Sequence, residues 1–387
     1  MICQKTLILN KMRIAVNTRF LMSNKLEGMG WFTHETLKRW VEWHPEHEFI
    51  FIFDRPFSEE FIFADNVTGV QAFPPARHPL LFYCWYEWAI PSVLKKHKAD
   101  VFVSPDGFLS LSTKVPTLMV LHDIAWKHFE KHVSYTTQKY YQYYVPRFVH
   151  AASRIATVSE YSKQDIADTF DVATTKIDVV YNGSHHNYQP LSEEAQTKIR
   201  AKHSDGQAYF LYVGSIHPRK NVPNLLRAFD AFKKQTKSPL KLLFAGRVMW
   251  QGGPVGELLE TLTSKEDIVF LDYVPNDLLP KIVASAFALT YVSLFEGFGI
   301  PILEAMYCDV PSITSNCSSM PEVAGDAGLL VDPNSVDSIC AQMVDLWETP
   351  SLRQSLVEKG RIQRQQFSWD LTAKRLWNSL EEIMPNK

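Results

Sequence analysis

The sequence predicts an α/β protein built from two doubly wound, Rossmann-like parallel sheets, and three features carry that expectation. A chain of 387 residues with 46% hydrophobic content exceeds one ordinary core and suits two domains of similar size. Short β-rich runs recur along it: RIAVN, HEFIFIFD, ADVFVSPD, TLMVLHD, RIATVS and DVVYN, then AYFLYVGS, LKLLFAG, DIVFLDYV, AFALTYVS, PSITSN and GLLVDP. Most are apolar throughout, as in strands buried on both faces of a parallel sheet. The stretches between several of them carry helical spacing, as from Asn224 to Phe232 and from Leu278 to Ala286.

The polar passage from His185 to Asp205, with Pro190 inside it, reads as a linker and puts the domain cut near residue 188. Residues just after each strand matter most, because ligands of such folds bind beyond the carboxyl ends of the strands.

Forty basic against forty-two acidic residues leave a formal charge of -2, which offers no bulk attraction to nucleic acid. The five cysteines are scattered and form no C-x-x-C, so neither a disulfide framework nor a structural zinc is expected, and a reducing cytoplasm fits. No apolar run has spanning length, and the opening MICQKTLILNKM lacks a signal peptide's core; it reads as an extension, with Met12 as an alternative start.

Four stretches could carry chemistry. In EGFGIPILEAMYCD (296–309), Pro301 suits the first turn of a helix whose N-terminus faces a loop opened by Gly297 and Gly299. That arrangement favours a phosphate, while Glu296 and Glu304 offer charged acceptors to hydroxyls of one extended ligand. Read alone, the two acids are equally a solvated loop acid and a capping acid. In VGSIHPRKNVPNLL (213–226), Gly214 marks a tight strand exit, and Arg219 with Lys220 supply a planar fork and a mobile charge for a diphosphate. An exposed basic turn is the plainer alternative. In TLMVLHDIAW (117–126), His122 stands where a sheet presents its ligand edge, with Asp123 to orient it; the alternative is a core histidine followed by a capping aspartate. In LEGMGWFTHETLKRW (26–40), Gly28 and Gly30 precede a helix and could let a ligand approach, although the second half of a dinucleotide fingerprint is missing. His128 and His132 have no third ligand in pattern, and the aromatic runs FYCWYEW and YYQYY are assigned to packing. No D-x-D occurs to hold a metal against a diphosphate, so no metal and no cofactor are expected.

E296-GFGIPIL-E304, followed by SITSNCSSMPEVAGDAGLLVDP and preceded by VGSIHPRKNVPNLLRAF, resembles the retaining glycosyltransferases of family four, which have the GT-B fold. The likeness extends to ATVSEYSKQDI and VVYNG, and so over nearly the whole chain. It implies an acceptor domain (1–188), a nucleotide-sugar domain (189–366), a cleft between them for the reaction, and a final helix (367–387) returning to the first domain through Trp369, Leu376 and Trp377. By matching position, Glu296 would bind donor-sugar hydroxyls, and the amides of Phe298, Gly299 and Ile300 would face sugar and phosphate. Glu304 would hold the ribose, Arg219 and Lys220 the diphosphate. His122 would contact the donor sugar, with Gly28 and Gly30 near the diphosphate.

The implied reaction is retaining, metal-independent transfer of a mannosyl- or glucosyl-type unit from a GDP- or UDP-sugar to a saccharide or lipid-linked saccharide, at a cytoplasmic site that family habit extends to the membrane's inner face. AGRVMW (245–250) resembles members that use GDP-mannose. The alternatives on the same architecture are an epimerase or phosphorylase, and a non-catalytic sugar-nucleotide-binding protein.

Overall fold

The computed structural model describes residues 11–23, 25–76, 79–246 and 253–385. Among them the chain divides into two compact units: one runs to Tyr181 and takes back the chain from Trp369 on, and the other is Asn182–Ser368.

The first unit holds a seven-stranded parallel sheet of β1 (Arg13–Asn17), β2 (Glu48–Phe53), β3 (Val67–Gln71), β4 (Val101–Ser104), β5 (Thr117–Val120), β6 (Arg154–Thr157) and β7 (Ile177–Val179), in the order β3-β2-β1-β4-β5-β6-β7. The second holds a six-stranded parallel sheet of β8 (Tyr209–Val213), β9 (Lys241–Ala245), β10 (Ile268–Phe270), β11 (Ala288–Tyr291), β12 (Ser312–Ser315) and β13 (Gly328–Val331), in the order β10-β9-β8-β11-β12-β13. The strand order reverses between β1 and β4 in one sheet and between β8 and β11 in the other. Each reversal parts the flanking crossovers and opens a crevice at the strands' carboxyl ends.

The apolar runs become strands for the expected reason: every residue of β4, β5, β8, β11 and β12 is buried, since helices cover both faces. The exception is β3, VTGVQ, which the apolar pattern does not mark. It lies at the sheet edge, is mostly part-exposed, and carries Gly69, where a side chain would run into the Phe57 ring. The passage expected as linker also differs: Glu193–His203 is a helix capped by Ser192, whose hydroxyl accepts the Ala195 amide at 3.3 Å. It buries none of its residues, which is why its composition reads as loop.

The last helix, Trp369–Glu381, packs on the helix Gly28–Trp43 within the first unit. Its buried face includes Trp369, Leu376 and Trp377; the Trp40 indole donates to the Ala373 carbonyl at 2.8 Å and meets the Trp377 ring edge-on at 5.3 Å.

Candidate functional site

In the second unit, the loops after β8 and β11 meet at the switch point. Gly214 leaves β8 at φ 136°, a conformation that side chains resist, and its carbonyl lies where any side chain at Gly246 would collide. The chain then makes a single 3₁₀ turn, Pro218–Lys220, capped by the His217 side chain accepting the Arg219 amide at 3.2 Å. Asn221, in the left-handed region at φ 57°, turns the chain into the helix Val222–Thr236 and ties the turn down by donating to the Val292 and Pro333 carbonyls.

This turn delivers both cations to Glu296. Arg219 Nη1 lies 2.5 Å from Glu296 Oε2 and donates to the Phe295 carbonyl at 2.8 Å, while Lys220 Nζ lies 2.8 Å from Glu296 Oε1. Lys220 also donates to the Tyr291 hydroxyl at the end of β11. Burial by itself would raise the Glu296 carboxyl, but Lys220 and Arg219 outweigh it and hold the pKa below the usual carboxylate range. Two cations against one acid leave the cluster with a net positive charge, although Glu296 and Lys220 are both buried.

The glycine loop is fixed from below. The Ser319 hydroxyl is within hydrogen-bond distance of the Glu296 and Phe298 carbonyls, at 2.8 and 3.0 Å, and Ser318 accepts the Glu296 amide at 3.1 Å. Phe298 is buried edge-on against Phe367. Gly299 caps the helix Ile300–Tyr307 at φ 98°, and Pro301 sits in its first turn. The amides of Gly299 and Ile300 thus lie where the helix supplies no acceptor. One turn on, burial pushes the Glu304 carboxyl up to about 7, against a hydrogen bond from the Tyr188 hydroxyl. Arg219, Lys220, Glu296 and the glycine loop therefore form one cluster, with Glu304 along the same helix.

In the first unit, His122 follows β5 and donates Nε2–H to the Pro105 carbonyl at 3.1 Å. Burial lowers its pKa, so the ring is neutral at pH 7, with Phe32 edge-on at 4.9 Å. Asp123 does not orient it: the carboxylate accepts the Ala125 amide at 2.9 Å and caps the next turn. Gly28 and Gly30 are not a loop ahead of a helix but its first turn. A side chain at Gly30 would stand 2.9 Å from the Phe20 carbonyl, whereas none of the described atoms approaches one at Gly28. The histidine sits on a cavity of about 350 Å³ with Arg19, Asp106, Trp126 and Tyr141.

The sequence pattern gave no sign of Tyr188, Tyr291, Ser319, Arg19 or Asp106; only their position after or beside strands could have marked them. His128 contacts Asp165 at 2.9 Å. His44, Glu46 and His47 are the metal-capable trio among the described residues, at the amino end of β2, with the His44 ring stacked on Trp377. Trp85, Tyr86 and Tyr140 of the aromatic runs are buried, while Trp88 and Tyr143 are exposed. No described helix is long and apolar enough to cross a membrane. Arg247 to Trp250 of AGRVMW lie outside the described residues.

The family model for Glycosyltransferase Family 4 matches residues 26–187, and that for Glycosyl transferases group 1 matches residues 194–363. The chain is 33% identical over 304 residues to O-antigen chain mannosyltransferase B of Escherichia coli, covering 76% of this chain and 78% of that one. It is 28% identical over 286 residues to O-antigen chain mannosyltransferase RfbU of Salmonella typhimurium, covering 74% and 76%. In fold it matches a glycosyltransferase from Rickettsia africae (TM-score 0.75, 17% identity, 98% of this chain and 100% of that one). HepE of Anabaena, solved with UDP and glucose, matches at TM-score 0.72, with 18% identity and coverage of 96% and 100%.

Proposed function

From the premise that this chain belongs to the glycosyltransferases of family 4, with the GT-B fold, we propose that it moves a hexosyl unit from a GDP- or UDP-sugar to a saccharide or lipid-linked saccharide, with retention of anomeric configuration and without a metal. One observation carries the reading: Arg219, Lys220 and Glu296 converge at the β8–β11 switch point beside a glycine-opened helix start. Cations and helix amides suit a diphosphate, and the buried acid suits sugar hydroxyls. Glu304 would take the ribose hydroxyls.

The state of the acids favours a front-face route to retention over a double displacement. Glu296 is held by two cations and Glu304 by Tyr188, so neither is set up as a glycosidase-type nucleophile. On this reading the bond from the anomeric carbon to the phosphate oxygen breaks, the acceptor oxygen bonds on the same face, and its proton passes to the departing diphosphate. Arg219 and Lys220 stabilise the charge that develops there, and neutral His122 offers a hydrogen-bonding nitrogen to the sugar.

Product analysis tests this. Incubation with GDP-mannose or UDP-glucose, an oligosaccharide acceptor and a chelator should yield an extended saccharide whose new linkage keeps the donor's configuration. An inverted linkage, dependence on added metal, or an epimerised donor without acceptor would each contradict it.

A further inference from the structure

The switch point of the first unit carries a second buried charge cluster, on the cavity that His122 also lines. Arg19 follows β1 and Asp106 follows β4, and these neighbouring strands flank the reversal. Asp106 is saturated: Oδ2 meets Arg19 Nε and accepts from the Tyr86 hydroxyl at 2.6 Å and Asn17 Nδ2 at 2.8 Å, and Oδ1 accepts from Ser104 and the Phe108 amide. Arg19 is not. Its side chain is only 8% exposed and lines the cavity, yet the four N–H groups on Nη1 and Nη2 have no partner among the described residues. Rings of Phe20, Phe82 and Phe108, at 4.6 to 5.3 Å, hold the guanidinium. The Nη edge therefore opens onto the cavity, and the cluster presents a planar fork to a ligand that can accept from it.

The lining decides which ligand. One cation, Arg19, faces two acids, Asp106 and Asp123, around the same cavity, so a carboxylate or phosphate would enter a site already rich in negative charge. Trp126 and Tyr141, packed edge-on at 5.4 Å, add apolar surface of the kind that sugar C–H faces stack against. We propose that this cavity seats a neutral hexopyranose ring of the acceptor, whose adjacent hydroxyl oxygens are read by the Nη fork of Arg19. Asp106 acts as a positioning residue. The word acceptor rests on the glycosyltransferase reading; the presence of a neutral sugar site does not.

Saturation-transfer NMR on the full chain with methyl α-mannopyranoside, methyl β-glucopyranoside and methyl β-glucuronide tests it, beside calorimetry with GDP and UDP. Saturable binding of a neutral methyl hexoside is expected, stronger than that of the glucuronide. Arg19→Lys keeps the charge but loses the fork and should weaken it at least tenfold while nucleotide binding persists. Met29→Trp, which adds bulk at the exposed rim of the cavity, should do the same. In turnover, Arg19→Lys should raise the acceptor KM at least tenfold and change kcat less than threefold. Unaltered hexoside binding in both variants, or preference for the glucuronide, would overturn the inference. Loss of nucleotide binding with hexoside binding intact would instead sink the donor reading and leave this one standing.

Discussion

The two switch points use the same device, an arginine brought against a buried acid by the loops that follow two neighbouring strands, and load it differently. Beyond β8 and β11, two cations share one carboxylate beside a helix start, so positive charge is left over for a phosphate. Beyond β1 and β4, one cation shares its cavity with two acids and with aromatic rings, and what remains there is directional hydrogen bonding. One topology thus yields two crevices of different charge and lining. The difference lies in three or four side chains per crevice, not in the sheets.

The comparison breaks most sharply at Lys220. Lys220→Ala removes the excess charge, and donor turnover should fall about a hundredfold, near 3 kcal/mol of transition-state stabilisation, with the circular dichroism spectrum unchanged. Near-normal turnover would mean that the cluster is structural. Backbone crowding gives the next largest effect. At Gly246 an added Cβ would lie 2.1 Å from the Gly214 carbonyl, and Gly246→Ala should cost about 3 kcal/mol in chemical denaturation. Gly30→Ala, with 2.9 Å to the Phe20 carbonyl, should cost about 1 kcal/mol. Equal losses would show that the two crevices are equally tolerant.

A smaller effect separates the hydroxyls that serve each acid. Tyr86→Phe takes one donor of several from Asp106 and should lower stability by about 1 kcal/mol with little change in nucleotide affinity. Tyr188→Phe acts on the titration of Glu304. That carboxyl titrates near 7 in the folded chain, above its usual value of 4.5, so the stability it contributes is full below about 4.5 and is lost as pH rises through about 7. Ribose hydroxyls donate to the ionised form, so nucleotide affinity should increase as pH rises through about 7. Because the Tyr188 hydrogen bond lowers this pKa, its removal should move the midpoint upward. Affinity measured by fluorescence titration from pH 5.5 to 8.5 checks both signs; a flat profile would place the ribose elsewhere.

What could be read from the sequence follows the same divide. Twelve of the strands announce themselves as short apolar β-rich runs, the edge strands β7, β10 and β13 among them, and β3 does not, since VTGVQ buries only Val67 and carries a glycine. Arg219, Lys220 and Glu296 were legible as charges beside glycines at strand exits, a local signal. That one carboxylate takes both cations was not, since the contact joins residues seventy-seven and seventy-six positions apart. The Arg19 cluster was less visible still: Asn17, Tyr86, Ser104 and Asp106 come together only when β1 and β4 pair across a long excursion through β2 and β3. Asp123, expected beside His122, prefers the nearer amide of Ala125, as a short carboxylate at a turn start does.

Calorimetric titration of GDP and UDP into the wild-type chain and into Lys220→Ala bears most directly on the cluster beyond β8 and β11. Saturable one-to-one uptake of one of these nucleotides, weakened at least tenfold in the variant, is the expected result. Absence of saturable binding by the wild type, or equal binding by both chains, would contradict it.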